Sequence, residues 1–475
     1  MLVRVTLLLV CAALVAPCTA RAQNDLSAIG VRAQQVEAVE RSEQIMQEAQ
    51  RRKGLLAQYQ VMRKAYATNN NPAFHVIFGQ YLSWYQTFIG DYSDALLSFA
   101  IKEQPQPDDA PSPLGQPGWH PVLARSYIPS LAKSYKAVFL NEAHNVPVTR
   151  SLTVQLLQAL RAEGFNTFAA ETLYHSDTGL QKRGYPTADS GFYTREPIYA
   201  EMVREALKLG YKVVAYEADD QYQGDAREAQ QARNLAKLFK DDPNTRLVVN
   251  AGYAHIQKQG KFLGAQSMAE HFVDDTGIQP LSVEQTMLIS HDGSALDHPY
   301  YTSVVQSLDP SQPIVFVDKG GKPWSLRPGY DVSVFFPMTR SRDGRPTWLT
   351  LGGLRTPYHV DGSICQNQFP CLIEARYADE GEDAVAADRM VLDVIPLTTV
   401  GEIKVTTSGS NVTPSGELYL RPGNYRLSVT DENNSTITRQ SITVKATAPL
   451  AAADPSVASP EGCRGITSSQ VCGKP

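Results

Sequence analysis

The feature that most restricts the fold is an alternation of short apolar runs and helix-patterned segments between residues 136 and 283. Runs of strand length lie at 136–141, 166–170, 211–216, 246–250 and 279–283. Between the first two, residues 151–162 carry Leu152, Leu156, Leu157 and Leu160 at helical spacing, and Gly164 follows as a helix-ending glycine. Residues 197–209 end in the same way at Gly210, and further helices are expected over 226–239 and 266–275. Strand and helix in strict alternation predict an α/β domain, a parallel sheet with flanking helices joined by right-handed crossovers.

In an open parallel sheet, ligands bind beyond the carboxyl ends of the strands. The first run ends in Asn141-Glu142-Ala143-His144, where residues two apart point the same way on an extended chain. The second ends at Glu171, the third at Glu217, and the fourth runs into Gly252-Tyr253-Ala254-His255. Taken singly, a Glu after a strand is usually a helix cap or a solvated residue, and a lone His is usually not catalytic. Agreement at four strands is the signal. Gly252 reads either as a tight turn or as a point of close backbone approach. Arg227, after Asp225 as the expected cap of its helix, is placed to pair with Glu217 or Glu171, or to bind a substrate anion. His175 is a rim candidate. His271, His291 and His298 have no such pattern, and Asp219-Asp220 reads as a solvated turn.

Two Glu and two His suit hydrolysis of an ester or amide. One group deprotonates water, and a second, protonated, group donates to the leaving group. The same residues suit a divalent metal, zinc or manganese. There is no H-E-x-x-H zinc helix, no G-x-S-x-G nucleophile elbow and no Gly-rich phosphate loop.

The rest of the chain frames this centre. Met1 to Arg4, an apolar run from Val5 to Ala16 and Ala20-Arg21-Ala22 read as a cleaved signal peptide over 1–22. The expected location is therefore periplasmic or secreted. Pro17 argues against lipidation at Cys18. No later stretch is long and apolar enough for a transmembrane segment. The net charge of −5 offers no basic field for nucleic acid. An α-helical N-terminal region is expected over 23–103, with Val36, Val39, Ile45 and Met46 at helical spacing. A Pro/Gly-rich linker over 104–124 should lead into the α/β domain at 125–300. A β-rich extension (301–389, with strands at 313–317, 332–336 and 347–350), a small β-sandwich (390–446) and a disordered tail (447–475) follow. In an oxidising compartment, the remaining four cysteines pair locally, Cys365 with Cys371 and Cys463 with Cys472.

Glu-x-His after the first strand, a Glu about thirty residues later and Gly-x-x-His after a later strand together resemble the erythromycin esterase / ChaN / TraB–Tiki-like superfamily. The resemblance covers about residues 135–290, with Asn141 where that superfamily has Gly. Arg227-Glu228 followed by Gln231-Ala232 is similar to its Arg-bearing helix. The resemblance implies a water-activating group of Glu142, His144 and His255, with Glu171 as a further acid or orienting partner, acting on a lactone, ester or peptide. Glu217, Arg227, Tyr253 and Gly252 would support or bind. The ChaN-like branch implies an alternative: a haem- or metal-binding envelope protein without catalysis, with Tyr253, His144 or His255 as haem ligands. Any metal would fall to Glu142, His144, Glu171 and His255. An envelope partner would use the β-sandwich.

Overall fold

A computed structural model describes residues 24–393 and 414–446, with side chains from residue 32 onward. The expected leader, residues 394–413 of the expected sandwich, the Cys463–Cys472 pair and the tail from 447 lie outside the described residues.

The alternating segment forms a six-stranded, all-parallel sheet. Its strands are β1 (Ala137–Glu142), β2 (Thr167–Ala170), β3 (Lys212–Val214), β4 (Leu247–Gly252), β5 (Leu281–Glu284) and β6 (Val332–Ser333), in the order β3-β2-β4-β1-β5-β6. The chain therefore leaves β1, builds β2 and β3 to one side, and returns to insert β4 between β2 and β1. Every residue of β1 and β4 is buried, as expected of strands covered on both faces.

The helices that precede the sheet include α1 (Asn24–Gln50), α2 (Leu55–Thr68), α3 (Pro72–Phe88) and α4 (Tyr92–Ser98). The first turn of α3 is set by Asn71, whose side chain accepts from Ala73 N at 2.9 Å, with Pro72 opening the helix. This region packs on the α/β domain. Phe78, Trp84 and Phe88 of α3 share one apolar core with Leu152, Leu156 and Leu160 of α5 (Val148–Ala162). Ile45 and Met46 are buried as their spacing predicts, but Val36 is exposed. Three more crossover helices, α6 (Pro197–Lys208), α7 (Asp225–Asp241) and α8 (Met268–Thr276), complete the wrapping of the sheet.

Several expectations are corrected. Residues 104–124 are a strap rather than a linker. Asp109 accepts from Arg327 Nε at 2.9 Å, Ala110 N donates to Leu326 O at 2.7 Å, and His120–Leu123 pairs antiparallel with Ile314–Val317. Pro and Gly turns read alike in a linker and a strap, because the partner segment lies two hundred residues away. The α/β unit also runs past residue 300, since Val332–Ser333 supplies its sixth strand. The strand expected at 347–350 is instead a 3-10 segment, Thr347–Gly353, with left-handed backbone at Leu351.

The sandwich begins at Thr356 rather than at the expected residue 390, because strands from the expected extension pair with strands after 414. Thr356–Asp361 pairs with Ser415–Leu420, facing a four-stranded antiparallel sheet of Cys371–Tyr377, Asp388–Leu392, Gly423–Thr430 and Thr436–Val444. Val360, Ile373, Leu418 and Leu427 fill the space between them. Cys365 and Cys371 form the expected disulfide, with Cα atoms 6.1 Å apart. Among the described residues, no helix is long and apolar enough to cross a membrane.

Candidate functional site

Because β4 lies between β2 and β1, Glu171 and Glu142 flank Gly252 at the carboxyl ends of three adjacent strands. Register places Glu142 beside Gly252, and Glu171 N donates to Asn250 O at 2.9 Å. All four expected residues converge here. Glu142, His144, Glu171 and His255 are each less than a tenth exposed.

Glu142 is fully engaged. Arg150, on the first turn of α5, donates Nε to its Oε2 and Nη2 to its Oε1, both at 2.7 Å. Asn250 Nδ2 donates to Oε2 at 2.6 Å, and His144 Nδ1 donates to Oε1 at 3.1 Å. Burial by itself would raise the Glu142 pKa. The Arg150 charge, with the hydrogen bonds from His144 and Arg150, outweighs this and holds it well below the usual carboxylate range. Glu142 therefore orients His144 rather than reacting itself. A carboxylate only accepts, so the His144 proton sits on Nδ1 and Nε2 is left free.

That ring is held on three sides. Tyr193 stacks on it at 4.4 Å, and Tyr253 meets it edge-on at 5.1 Å. Its Cε1–Nε2 edge lies over Gly252, where a β-carbon would fall 2.3 Å from Cε1, 2.4 Å from Nε2 and 3.0 Å from Glu171 Oε2. Gly252 is thus a point of close approach. Its φ of −74° needs no glycine, so the tight-turn reading falls away.

His255 is built in the same way from the other side. Its Nδ1 meets Glu228 Oε2 at 2.6 Å, an oxygen that also accepts from Met268 N at 2.9 Å. Its Nε2 faces Glu171 Oε1 at 3.6 Å. Burial disfavours charge on His255, as does Arg227, whose Nη1 lies 3.5 Å from Nε2, but the Glu228 and Glu171 carboxylates outweigh both and raise the pKa. Glu171 lies between the two imidazoles. Burial pushes its pKa up, while His255, His144, Arg227 and the Gly252 N–H pull it down to about 2. The site is two carboxylate-anchored imidazoles that turn their Nε2 atoms toward one ionised carboxylate.

Glu217 and Arg227 form the support. Arg227 donates Nε to Glu217 Oε1 at 3.0 Å, and Nη2 to Glu217 Oε2 at 2.8 Å and to Glu171 Oε1 at 3.1 Å. Both pairings open to it in the sequence are made at once. Glu217 also accepts from Gln231 Nε2 at 2.8 Å, so it fixes Arg227 rather than facing the imidazoles. Asp225 does not cap α7. Gly224 stands there, and Asp225 pairs with His271 at 2.9 Å. His175 stays at the rim, where its Nε2 donates to the Glu217 carbonyl oxygen at 2.9 Å.

The residues do not fit the expected cofactors. Among the described residues, no group of three or more His, Cys, Asp or Glu side chains is arranged to hold a metal ion. The carboxylates of the expected set, Glu142 and Glu171, already hold Arg150 and Arg227, whose positive charges would repel an added cation. For haem, the Tyr253 hydroxyl is taken up with Asn145 Oδ1 at 3.4 Å, Tyr193 and Tyr253 pack on the His144 ring, and Phe262 packs on the His255 ring.

Sequence reasoning missed Arg150, Glu196, Asn250 and Tyr193, and it gave Glu228 no role of its own. Glu196 caps α6 through Ile198 N and Tyr199 N, and accepts from Arg150 Nη1 at 3.1 Å. Glu before Pro197 at a helix start was a legible cap. Asn250, two residues before Gly252 on the same strand face, was also findable. Asn141, which replaces a Gly of the resembled motif, donates to Tyr253 O at 2.8 Å and accepts from Gln285 N at 2.6 Å, tying β1 to the loops after β4 and β5.

No family model matches the chain, and no curated protein does. Solved structures that resemble it include the type III effector HopBA1, at 16% identity, covering 40% of this chain and 96% of that one with a TM-score of 0.26. A second is RRSP, a MARTX toxin effector domain from Vibrio vulnificus, at 13% identity, covering 46% and 50% with a TM-score of 0.26. A third is Pasteurella multocida toxin, whose C-terminal region is described with a thiol-protease-like catalytic triad, at 11% identity, covering 43% and 27% with a TM-score of 0.22. Likeness at this level carries no argument about activity.

Proposed function

We propose that the protein is an exported hydrolase of the erythromycin esterase / ChaN / TraB–Tiki-like superfamily, acting on an ester or amide bond of a small molecule or peptide. One observation carries the reading: Glu171 stands between two imidazoles, each held through Nδ1 by its own carboxylate. His144 Nε2 takes the proton of the attacking water. His255, kept charged by Glu228 and Glu171, gives its Nε2 proton to the leaving group. The Glu171 carboxylate stabilises positive charge on either ring, so the charge passes from one to the other without being stranded in a buried site. The Cys365–Cys371 disulfide supports an oxidising compartment.

The test uses p-nitrophenyl butyrate and a quenched fluorescent peptide library as probes. The parent should turn over one of them, with His144→Ala and Glu171→Gln slower by at least about 1000-fold and melting curves little changed. No turnover by the parent, or variants as fast as the parent, would sink the reading.

The charge on His255 predicts a pH dependence. Activity should fall as pH rises through the raised His255 pKa. Glu228→Gln removes a carboxylate that raises that pKa, so the alkaline limb should move to lower pH. A pH–rate profile of kcat/KM reads this directly, and an unmoved limb would remove His255 as the acid.

A further inference from the structure

The hydrolytic reading leaves one group without a partner: the substrate oxygen that gains charge when water adds. Five tyrosines surround the site, and four have committed hydroxyls. Tyr92 donates to Glu196 Oε1 at 3.0 Å, Tyr199 to the Glu171 carbonyl, Tyr216 to Asn250 O at 3.3 Å and Tyr253 to Asn145 Oδ1 at 3.4 Å. The Tyr193 hydroxyl makes no hydrogen bond among the described residues, although the residue is only 6% exposed. The ring is packed away, but the hydroxyl oxygen is not among the buried unpaired atoms, so it stays open to a molecule entering the site.

From this geometry we infer that the Tyr193 hydroxyl donates to the substrate carbonyl oxygen, an inference that rests on the hydrolytic reading. The ring's place is over-determined. It stacks on His144 at 4.4 Å with a 22° tilt, the Arg150 guanidinium carbon lies 5.5 Å from its centre, and Trp84 and Phe192 abut it edge-on. Tyr193 opens the single 3-10 turn that ends at Glu196, so the Arg150–Glu196 pair fixes its backbone as well. Burial, with the nearby Glu171 carboxylate, raises the phenol pKa, so the group stays a donor at neutral pH.

The step balances. The water oxygen bonds to the carbonyl carbon as its proton passes to His144 Nε2, and the carbonyl π pair moves onto the oxygen, which accepts from Tyr193 O–H. When the carbonyl re-forms, the bond to the leaving oxygen or nitrogen breaks, and that atom takes the proton of His255 Nε2. His144 ends charged and His255 neutral. Solvent exchange then restores the starting state.

The experiment compares parent, Tyr193→Phe and His144→Ala on p-nitrophenyl butyrate and the peptide library. Tyr193→Phe keeps the stacked ring and loses only the hydroxyl. Its kcat should fall about 100-fold, with KM within about twofold and a melting temperature within about 1 °C of the parent. A merely structural tyrosine would not give that split. If Tyr193→Phe keeps more than about a third of the parent kcat while His144→Ala is inactive, the donor role is overturned and the hydrolytic reading stands. If His144→Ala keeps the parent rate, the hydrolytic reading fails and the inference fails with it.

Discussion

Replacing Gly252 with Ala should slow turnover by at least about 100-fold while leaving a folded protein. The backbone at this position is ordinary extended chain, at φ −74° and ψ 144°, so alanine adds no conformational strain. What it adds is a methyl group 2.3 Å from His144 Cε1 and 2.4 Å from Nε2, inside any real carbon contact. The ring has nowhere to retreat, because Tyr193 and Tyr253 pack against it and Glu142 holds its Nδ1. Overpacking of this kind costs about 1–3 kcal/mol, short of the stability of a typical domain. Shifting the base by even an ångström costs about 100-fold in rate, and the methyl also falls between Nε2 and Glu171 Oε2. Circular dichroism melting with an ester assay on the same preparation checks both halves. A Gly252→Ala variant with parent activity would mean that His144 is not the base in this position.

The largest loss of stability is expected from Arg150→Met. Arg150 is wholly buried and serves two buried carboxylates, Glu142 through paired bonds at 2.7 Å and Glu196 at 3.1 Å. Methionine fills similar space but leaves both charges uncompensated, a loss of about 3–5 kcal/mol at neutral pH. The sign of the pH dependence follows from Glu142. Its folded pKa is depressed, so the stability it contributes is complete above its unfolded value and is lost as pH falls toward the folded one. In the variant the depression is gone, and protonation relieves a buried charge. Urea unfolding should therefore show the gap between parent and Arg150→Met narrowing as pH is lowered from 7 toward 4. A gap that stays constant would mean that Arg150 contributes by packing alone.

The sequence by itself determined the kind of fold and most of the site's membership. Strand–helix alternation specified the parallel sheet, and residues just past the strand ends gave Glu142, His144, Glu171 and His255, because both patterns are local in the chain. Local pattern could not say that residues 104–124 are a strap, since the strap's partners Leu326 and Ile314–Val317 lie far along the chain. It also gave Arg150 no role, although that side chain is buried between Glu142 and Glu196.

The roles of the site residues were decided by tertiary structure alone. Strand order is set by how helices pack on the two faces, not by any one strand's residues, and here it inserts β4 between β2 and β1. That insertion sets Gly252 between Glu142 and Glu171, so a missing β-carbon opens the space in which one imidazole faces the shared carboxylate. It also brings Glu228, from the helix before β4, behind His255. Two Glu and two His read along the chain were compatible with a metal site. Arranged in space with Arg150 and Arg227, they are two anchored imidazoles around one carboxylate.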